Sequence, residues 1–535
     1  MTSTHEPLRS LAHGFLRSVE RFADRTALVV DGEALSYSAL GRLVLRIAAA
    51  IRRGERPGPL AAVWAARSRT AYAGVLGCLA AGKGYVPLNP KFPLGRTHRM
   101  LELSGCRSLV VGRECLPELP QLLHRVEGAL TIVLPEVESL DGWESGFPQH
   151  RFILAPQLPD GDGSPAELAA SAGDIAYLLF TSGSTGEPKG VPISQGNVRA
   201  YLEWVGGNFP VTEHDRFSQE FDLTFDLSVH DMFVCWEHGA ALYSVPEKSV
   251  MAPAKFIRAH ELTMWFSVPS VAGLLAKMRL LTPGCFPSLR GSLFCGEPLP
   301  AAYAEAWQAA APNSIVANLY GPTETTIAIT HYRWEGKRSP AECVNGIVPI
   351  GRAFEGQDAR VTGPQGTAVA PEESGELCLS GSQVAGGYWN NPEKTRERFV
   401  RLPGAGERAW YRTGDLVRQD AAGNLCYLGR IDDQVKIRGY RVELQEIESV
   451  LRRACGTQQV VSVPWPVHDG SAQGVVAFVS GVEALDQDRV LSYCNDLLPE
   501  YMVPKNIYVL EELPLNQNQK IDRRRLAQLL EGAHP

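Results

Sequence analysis

Short apolar runs of strand length alternate with longer helix-like stretches through the front of this chain, and that alternation restricts the fold more than any single motif. LAAVWA, SLVVG, LTIVLP and IAYLLFT each read as a strand buried on both faces. ALVVDG is another strand-like run, and LSYSALGRLVLRIAAAIRR reads as a strand followed by an amphipathic helix. RTAYAGVLGCLAAGK supplies a helix between two of the strands. Strands separated by helices imply layered α/β architecture with largely parallel sheets.

The pattern changes further on. From about Gly351 to Arg430, GELCLSG, WYRTGDLV and GNLCYLGR give strand and turn signals that fit a smaller β-rich lobe. Beyond it come the helix VELQEIESVLRRA, the strands QVVSVPW and GVVAFVS, and a helix around Asp488 to Leu497, enough for a compact α+β domain. At 535 residues a single core is not expected. We expect a large N-terminal unit over 1–431 and a small, mobile C-terminal α+β unit over 432–535. QLPDGDGSPAE, from Gln157 to Glu167, reads as a surface linker.

Charge excludes some functions. The net charge is −7 and no Lys/Arg block stands out, which argues against a nucleic-acid partner. The opening MTSTHEPLRSLAHGF lacks a secretory pattern, and the apolar stretch from Leu60 to Leu79 is broken by Arg67 and Arg69, so no membrane span is expected. Eleven cysteines without C-x-x-C pairs point to reduced thiols in a cytoplasmic protein.

One local signal is loud. LLFTSGSTGEPKG, Leu178 to Gly190, runs an apolar strand into a loop of small residues. Such a loop brings backbone N–H groups close to phosphate oxygens. Thr181, Ser182, Ser184 and Thr185 add hydroxyl donors, Gly183 a close approach, and Lys189 a neutralising charge. It is not a Walker A loop, since G-x-x-x-x-G-K-[ST] is absent. A solvated Ser/Gly turn would explain the glycines alone, but not the whole block beside a buried strand.

The loop resembles the signature of the adenylate-forming superfamily of acyl-CoA synthetases, luciferases and the adenylation domains of non-ribosomal peptide synthetases. AGKGYVPLNPKFP, FDLSVHDMF, NLYGPTETT, YRTGDLV, YLGRIDDQVKIRGYRVELQEIE and LPLNQNQKIDRRRL extend the resemblance over nearly the whole chain, in the family's order.

The resemblance implies ATP and Mg²⁺ as cofactors and assigns roles. Thr181, Ser182 and Gly183 would face the phosphates, with Thr185, Lys189 and Lys520 as catalytic residues. Asn318, Leu319, Tyr320, Gly321, Pro322 and Thr323 would hold the nucleotide, Tyr320 stacking on the purine and Thr323 reaching the α-phosphate. Glu324 would bind Mg²⁺, an ion that prefers one or two carboxylates beside phosphate oxygens. Asp415 would hold the ribose, joined by Tyr427, Leu428, Gly429 and Arg430. Lys520 would bridge the acyl carboxylate and the α-phosphate; Gln519 stands before it where the family has glycine. Asp432 matches the hinge on which the C-terminal domain turns, after which Gly439 would line the path of a thiol. A turn aspartate and a solvated lysine are the plain alternatives for Asp415 and Lys520 taken singly.

Asp226 sets the substrate class. It matches the aspartate with which amino-acid-activating members hold the α-ammonium by a charge-assisted hydrogen bond; a capping or core-paired acid is the alternative. Leu227, His230, Phe266, Leu293, Cys295, Leu319, Ile327 and Ala328 would complete an apolar pocket for a small amino acid. His230 is as readily a core histidine as a substrate contact. The pattern is similar to stand-alone ligases that load L-proline onto a carrier protein, and has affinities with D-alanine–carrier ligases. The expected reaction is therefore formation of an aminoacyl adenylate and transfer to the phosphopantetheine thiol of a separate carrier protein, with L-proline as the best guess. A separate acceptor is expected because the chain runs out after RRRLAQLLEGAHP, short of a further domain of ~80 residues. Alanine, another small aliphatic amino acid or an acid–coenzyme A ligase are alternatives, as is a catalytically dead binding protein. A monomer is expected, since nothing in the sequence demands a dimer.

Overall fold

The structure, a computed structural model, describes residues 10–54, 58–160, 170–183, 187–250, 253–468, 471–482, 484–515 and 521–532. Two of the expected catalytic residues, Thr185 and Lys520, and most of the expected linker lie outside them.

The apolar runs form the centres of two sheets. In one of seven strands, Leu60–Trp64 pairs in parallel with Gly84–Leu88 on one side and Ser108–Val111 on the other. Ile175–Thr181 follows, and its antiparallel partner Lys189–Ser194 closes that edge. Both Leu60–Trp64 and Gly84–Leu88 are buried at every residue, as continuous apolar sequence requires of strands covered on both faces. The helix Arg69–Ala80 crosses between them and is buried along nearly its whole length.

The second sheet has nine strands. Its parallel middle carries Ala241–Ser244, Arg216–Gln219, Met264–Ser267, Gly291–Phe294 and Ile315–Tyr320. One large apolar core, from Leu11 to Tyr388, joins residues of both sheets. A five-stranded antiparallel sheet over Gln357–Arg430 forms the expected β-rich lobe. The C-terminal unit has two small sheets around a core of its own that includes Ile437, Ile447, Val460 and Met502. Its helix Leu444–Cys455 and the strands Val460–Pro464 and Val475–Val479 fall where the sequence predicts them. The α/β reading thus holds, with a large front domain and a smaller C-terminal domain.

Among the described residues no helix is long and apolar enough to cross a membrane. All eleven cysteines are free thiols.

Candidate active site

The site forms where strand ends from both large sheets meet the C-terminal unit. Thr181 ends Ile175–Thr181, Tyr320 ends Ile315–Tyr320, and Asp226 directly precedes the helix Leu227–Glu237. Ligand sites sit at strand ends in open α/β sheets because backbone polar groups and loop side chains converge there.

Two neighbouring cavities share Gly296, Gly321, Pro322, Lys436 and Arg441. The first, of about 590 Å³, is lined by Leu319, Tyr320, Gly321, Pro322, Asp415, Tyr427 and Arg430 among others. The sequence motifs assign these residues to a nucleotide, and the fold brings them together. The Tyr320 hydroxyl donates to one oxygen of Asp415, and Arg430 donates to the other at 2.9 Å. Arg430 also grips both oxygens of Asp432, at 2.6 and 2.7 Å, so the expected ribose ligand and the expected hinge share one guanidinium. Asn318 lies behind this cavity. Its amide donates to the Val348 and Pro349 carbonyls, while its Oδ1 is buried with no partner among the described residues. Leu428 and Gly429 are on the strand but do not line the cavity.

The second cavity, of about 740 Å³, reaches from Thr181, Ser182 and Thr323 to Asp226, Leu227 and Cys295, and outward past Gly439 and Tyr440 to Phe92, Arg96 and Tyr501. Asp226 occupies the N-cap position of Leu227–Glu237, yet its side chain makes no capping bond. Its Oδ2 is buried with no partner among the described residues, and burial raises the pKa to about 6 against the pull of the Thr323 hydroxyl and Lys436. A buried carboxylate left open is costly unless something arrives to pair it. The Thr181 hydroxyl is likewise buried with no partner among the described residues.

His230, Phe266, Leu293, Ile327 and Ala328 are buried behind the wall and line neither cavity. His230 shares a 2.8 Å hydrogen bond with the Tyr201 hydroxyl and packs edge-on to Phe266 at 4.7 Å. Burial lowers its pKa to about 3, so the ring is neutral. Thr326 and Ile327 sit at φ of 61° and 69°, where β-branched residues are rare, and such backbone is held by its surroundings at functional sites.

Glu324 is fully buried. It accepts from the Tyr388 hydroxyl at 2.7 Å and from Arg441 at 2.6 Å, with the Lys189 ammonium 3.6 Å away. Burial also lowers the Lys189 pKa, to about 8, with Arg441 adding repulsion. Sequence reasoning misses Arg441, although it stands in the KIRGYRVELQEIE block. It belongs to the hairpin Gln434–Ile437 and Tyr440–Glu443 of the C-terminal unit, which lies across the mouth of the site. At the hairpin turn Gly439 has φ +84°, and a Cβ there would come within 2.8 Å of Val268. Only glycine meets both conditions. The Ser182 hydroxyl donates to the Arg441 carbonyl at 2.8 Å and accepts from the Glu443 N–H at 3.1 Å, fastening the hairpin to the phosphate loop.

Residues 15–389 match the AMP-binding enzyme family, and residues 446–520 match the AMP-binding enzyme C-terminal domain. The chain belongs to the AMP-binding enzyme family, a family of adenylate-forming ligases. It is 32% identical to an L-proline–[L-prolyl-carrier protein] ligase of Pseudomonas fluorescens, over 98% of this chain and 100% of that one. It is 34% identical to an L-proline–[L-prolyl-carrier protein] ligase of Streptomyces coelicolor, over 93% of this chain and 92% of that one. Among solved structures, the adenylation domain AlmE of Vibrio cholerae, in complex with glycyl-adenosine-5′-phosphate, superposes with a TM-score of 0.89 at 36% identity, covering 99% of both chains.

Proposed function

We propose that this AMP-binding enzyme activates a small amino acid, L-proline foremost, as its adenylate and passes the aminoacyl group to the phosphopantetheine thiol of a separate carrier protein. The observation that carries the reading is the open Oδ2 of Asp226, buried in the same cavity as the phosphate-loop Thr181. A carboxylate there takes an α-ammonium and leaves the substrate's other end facing the phosphate loop.

In the first half-reaction a substrate carboxylate oxygen attacks the α-phosphorus of ATP. The bond from α-phosphorus to the bridging oxygen breaks, and pyrophosphate leaves with its electron pair. Thr181, Thr323 and Lys189 supply donors and charge where negative charge collects. Among the described residues no cluster of three or more His, Cys, Asp or Glu forms a metal site. Mg²⁺ takes one or two carboxylates when phosphate oxygens supply the rest, and Glu324 would hold it. When bound, the ion neutralises phosphate charge. Lys520, outside the described residues, is assigned the bridging role by its motif. In the second half-reaction the thiol sulfur attacks the acyl carbon, and AMP departs. The docked hairpin and the cavity past Gly439 support this step, since they leave a narrow approach to the acyl position.

The proline reading draws on the two prolyl-carrier ligases and on the aromatic cluster of Phe266, Phe221 and His230, whose phenylalanines share a core with Cys295. A second reading, glycine or alanine, draws on the glycyl-adenylate relative and on a wall in which Asp226, Leu227 and Cys295 stand foremost. Exchange of labelled pyrophosphate into ATP with L-proline, glycine and both alanines separates them. Highest exchange with L-proline is expected. No exchange with any amino acid would overturn the reading, and, in a separate assay with labelled amino acid, transfer of the aminoacyl label to coenzyme A rather than to a phosphopantetheinylated carrier would overturn its second half.

A further inference from the structure

Tyr388 has no part in the reaction proposed above, yet one side chain of it touches two of the charged groups in the site. Its hydroxyl donates to Glu324 Oε1 at 2.7 Å. The Lys189 ammonium lies 5.0 Å from its ring centroid and 3.6 Å from the same carboxylate oxygen. Tyr388 is only 6% exposed and Glu324 is fully buried. A cation over an aromatic face gains most where water is excluded.

The two charged groups come from different sheets. Lys189 begins the edge strand Lys189–Ser194 of the seven-stranded sheet, and Glu324 lies in the short turn Thr323–Thr325 that follows Ile315–Tyr320 of the nine-stranded one. Residues 385–389 span the gap between them. At one end the Ala385 N–H donates to the Glu324 carbonyl at 2.8 Å, and at the other the Trp389 N–H donates to the Gly190 carbonyl at 2.9 Å. Between these fastenings the Tyr388 N–H donates to the Thr395 hydroxyl at 2.9 Å, and its ring packs edge-on to Phe399 at 5.5 Å. Gly387 has φ +144°, and a Cβ there would come within 2.5 Å of the Thr395 side chain, so the approach to Tyr388 needs glycine. The ring is therefore fixed by main chain and by packing. Arg441, which takes Glu324 Oε2, belongs to the C-terminal unit, whereas Tyr388 and Lys189 belong to the large domain and hold Oε1 from within it.

We propose that Tyr388 is a positioning residue for adenylate formation: its hydroxyl orients the Glu324 carboxylate toward a cation, and its ring face sets the Lys189 ammonium. The inference rests on the ATP chemistry proposed above. With Oε1 engaged by the hydroxyl, Oε2 is the oxygen a cation can take, as Arg441 does here. The hydroxyl and the ring serve different charges, so their losses can be told apart.

Tyr388→Phe removes the hydroxyl alone, and Tyr388→Leu removes the ring as well. Calorimetric titration of the full chain with ATP, in saturating Mg²⁺ and in EDTA, reads binding without turnover. In Tyr388→Phe the gain in ATP affinity on adding Mg²⁺ should shrink about fivefold or more, the scale of a hydrogen bond to a charged group, with binding in EDTA unchanged. The Mg²⁺ concentration giving half-maximal pyrophosphate exchange should rise by a similar factor, while the KM for the amino acid stays the same. Tyr388→Leu should show the same loss and also bind ATP about fivefold more weakly in EDTA, where Lys189 acts without the metal. An unchanged Mg²⁺ gain in Tyr388→Phe, even beside a lowered melting temperature, would make Tyr388 a packing residue and overturn the proposal. Tyr388→Leu no weaker than Tyr388→Phe in EDTA would overturn the role of the ring. Should Tyr388→Leu fail to fold, Tyr388→Met is held to the same outcome. Wild-type protein that binds no ATP and supports no exchange would instead defeat the underlying nucleotide reading.

Discussion

Arg441 donates to Glu324 at 2.6 Å, across 117 positions of sequence, joining the C-terminal hairpin to the carboxylate expected to hold the metal. Burial works to raise the Glu324 pKa, but Arg441 and Lys189 hold the carboxyl well below its usual range. The pair is buried on both sides. Its value therefore lies in what happens when one partner is removed, rather than in the pair replacing apolar contacts.

Arg441→Ala leaves Glu324 with the Lys189 ammonium and the Tyr388 hydroxyl in the docked state. Docking of the hairpin should weaken, and transfer to the carrier thiol should fall roughly 10- to 100-fold, well beyond any loss in adenylate formation. Single-turnover transfer from preformed adenylate, measured beside pyrophosphate exchange, checks this. Equal losses in the two assays would place Arg441 in the first half-reaction instead.

Much of this arrangement is legible in the sequence, and the reasons for the rest are physical. LAAVWA and IAYLLFT announce buried strands because continuous apolar sequence has nowhere else to go. TSGSTG leads to the expectation of a phosphate loop because small residues and hydroxyls follow a strand, and 184–186 lie outside the described residues. Arg441–Glu324 and Arg96–Glu446 are not legible, because partners 117 and 350 residues apart are chosen by the docked position of a whole domain. Arg96 lies just beyond AGKGYVPLNPKFP, and Glu446 inside VELQEIE. The residues are visible in the sequence, but not their pairing. His230 is open to two readings there, and its bond to Tyr201 is the detail that places it in the core behind the cavity wall.

Asp226→Asn separates function from stability. Burial raises this carboxyl from 3.8 to about 6, so between those values the native state binds more protons than the unfolded chain. Its contribution therefore falls as pH rises through 6, and at neutral pH the buried charge is a cost. The asparagine variant should gain ~1–3 kcal/mol at pH 7.5 and lose that advantage toward pH 5. Amino-acid-dependent exchange should collapse at both pH values. In the wild type, the KM for the amino acid should rise as pH falls below about 6, because a protonated Asp226 no longer pairs an ammonium. Melting curves and exchange at pH 5.0 and 7.5 check all three. A destabilised variant, or a KM indifferent to pH, would contradict the role of the open carboxylate.

Asp415→Ala frees Arg430 and the Tyr320 hydroxyl together, since both donate to this carboxylate. The KM for ATP in the exchange assay should rise about 10- to 100-fold, the loss expected when a carboxylate accepting sugar hydroxyls is deleted. Asp432 should still hold Arg430 through its own two bonds, so thermal stability should change little. A large loss of stability with an unchanged KM would make Asp415 a packing residue rather than a ribose ligand.

Phe266 offers a test of substrate size. It is buried in the same core as Cys295 and Leu227, which line the cavity, and is held edge-on by His230 at 4.7 Å and by Phe221 at 5.4 Å. Its ring is fixed by packing, so a larger side chain on the substrate meets a wall that does not yield. Phe266→Ala should deepen the pocket by most of a ring, and each methylene newly accommodated is worth ~1–3 kcal/mol of discrimination. Exchange with valine and leucine should rise relative to L-proline by roughly 10-fold or more. His230, left without Phe266 but still bonded to Tyr201, should keep the local backbone in place. A variant with the wild-type order of preference would show that Leu227 and Cys295 set the size limit by themselves.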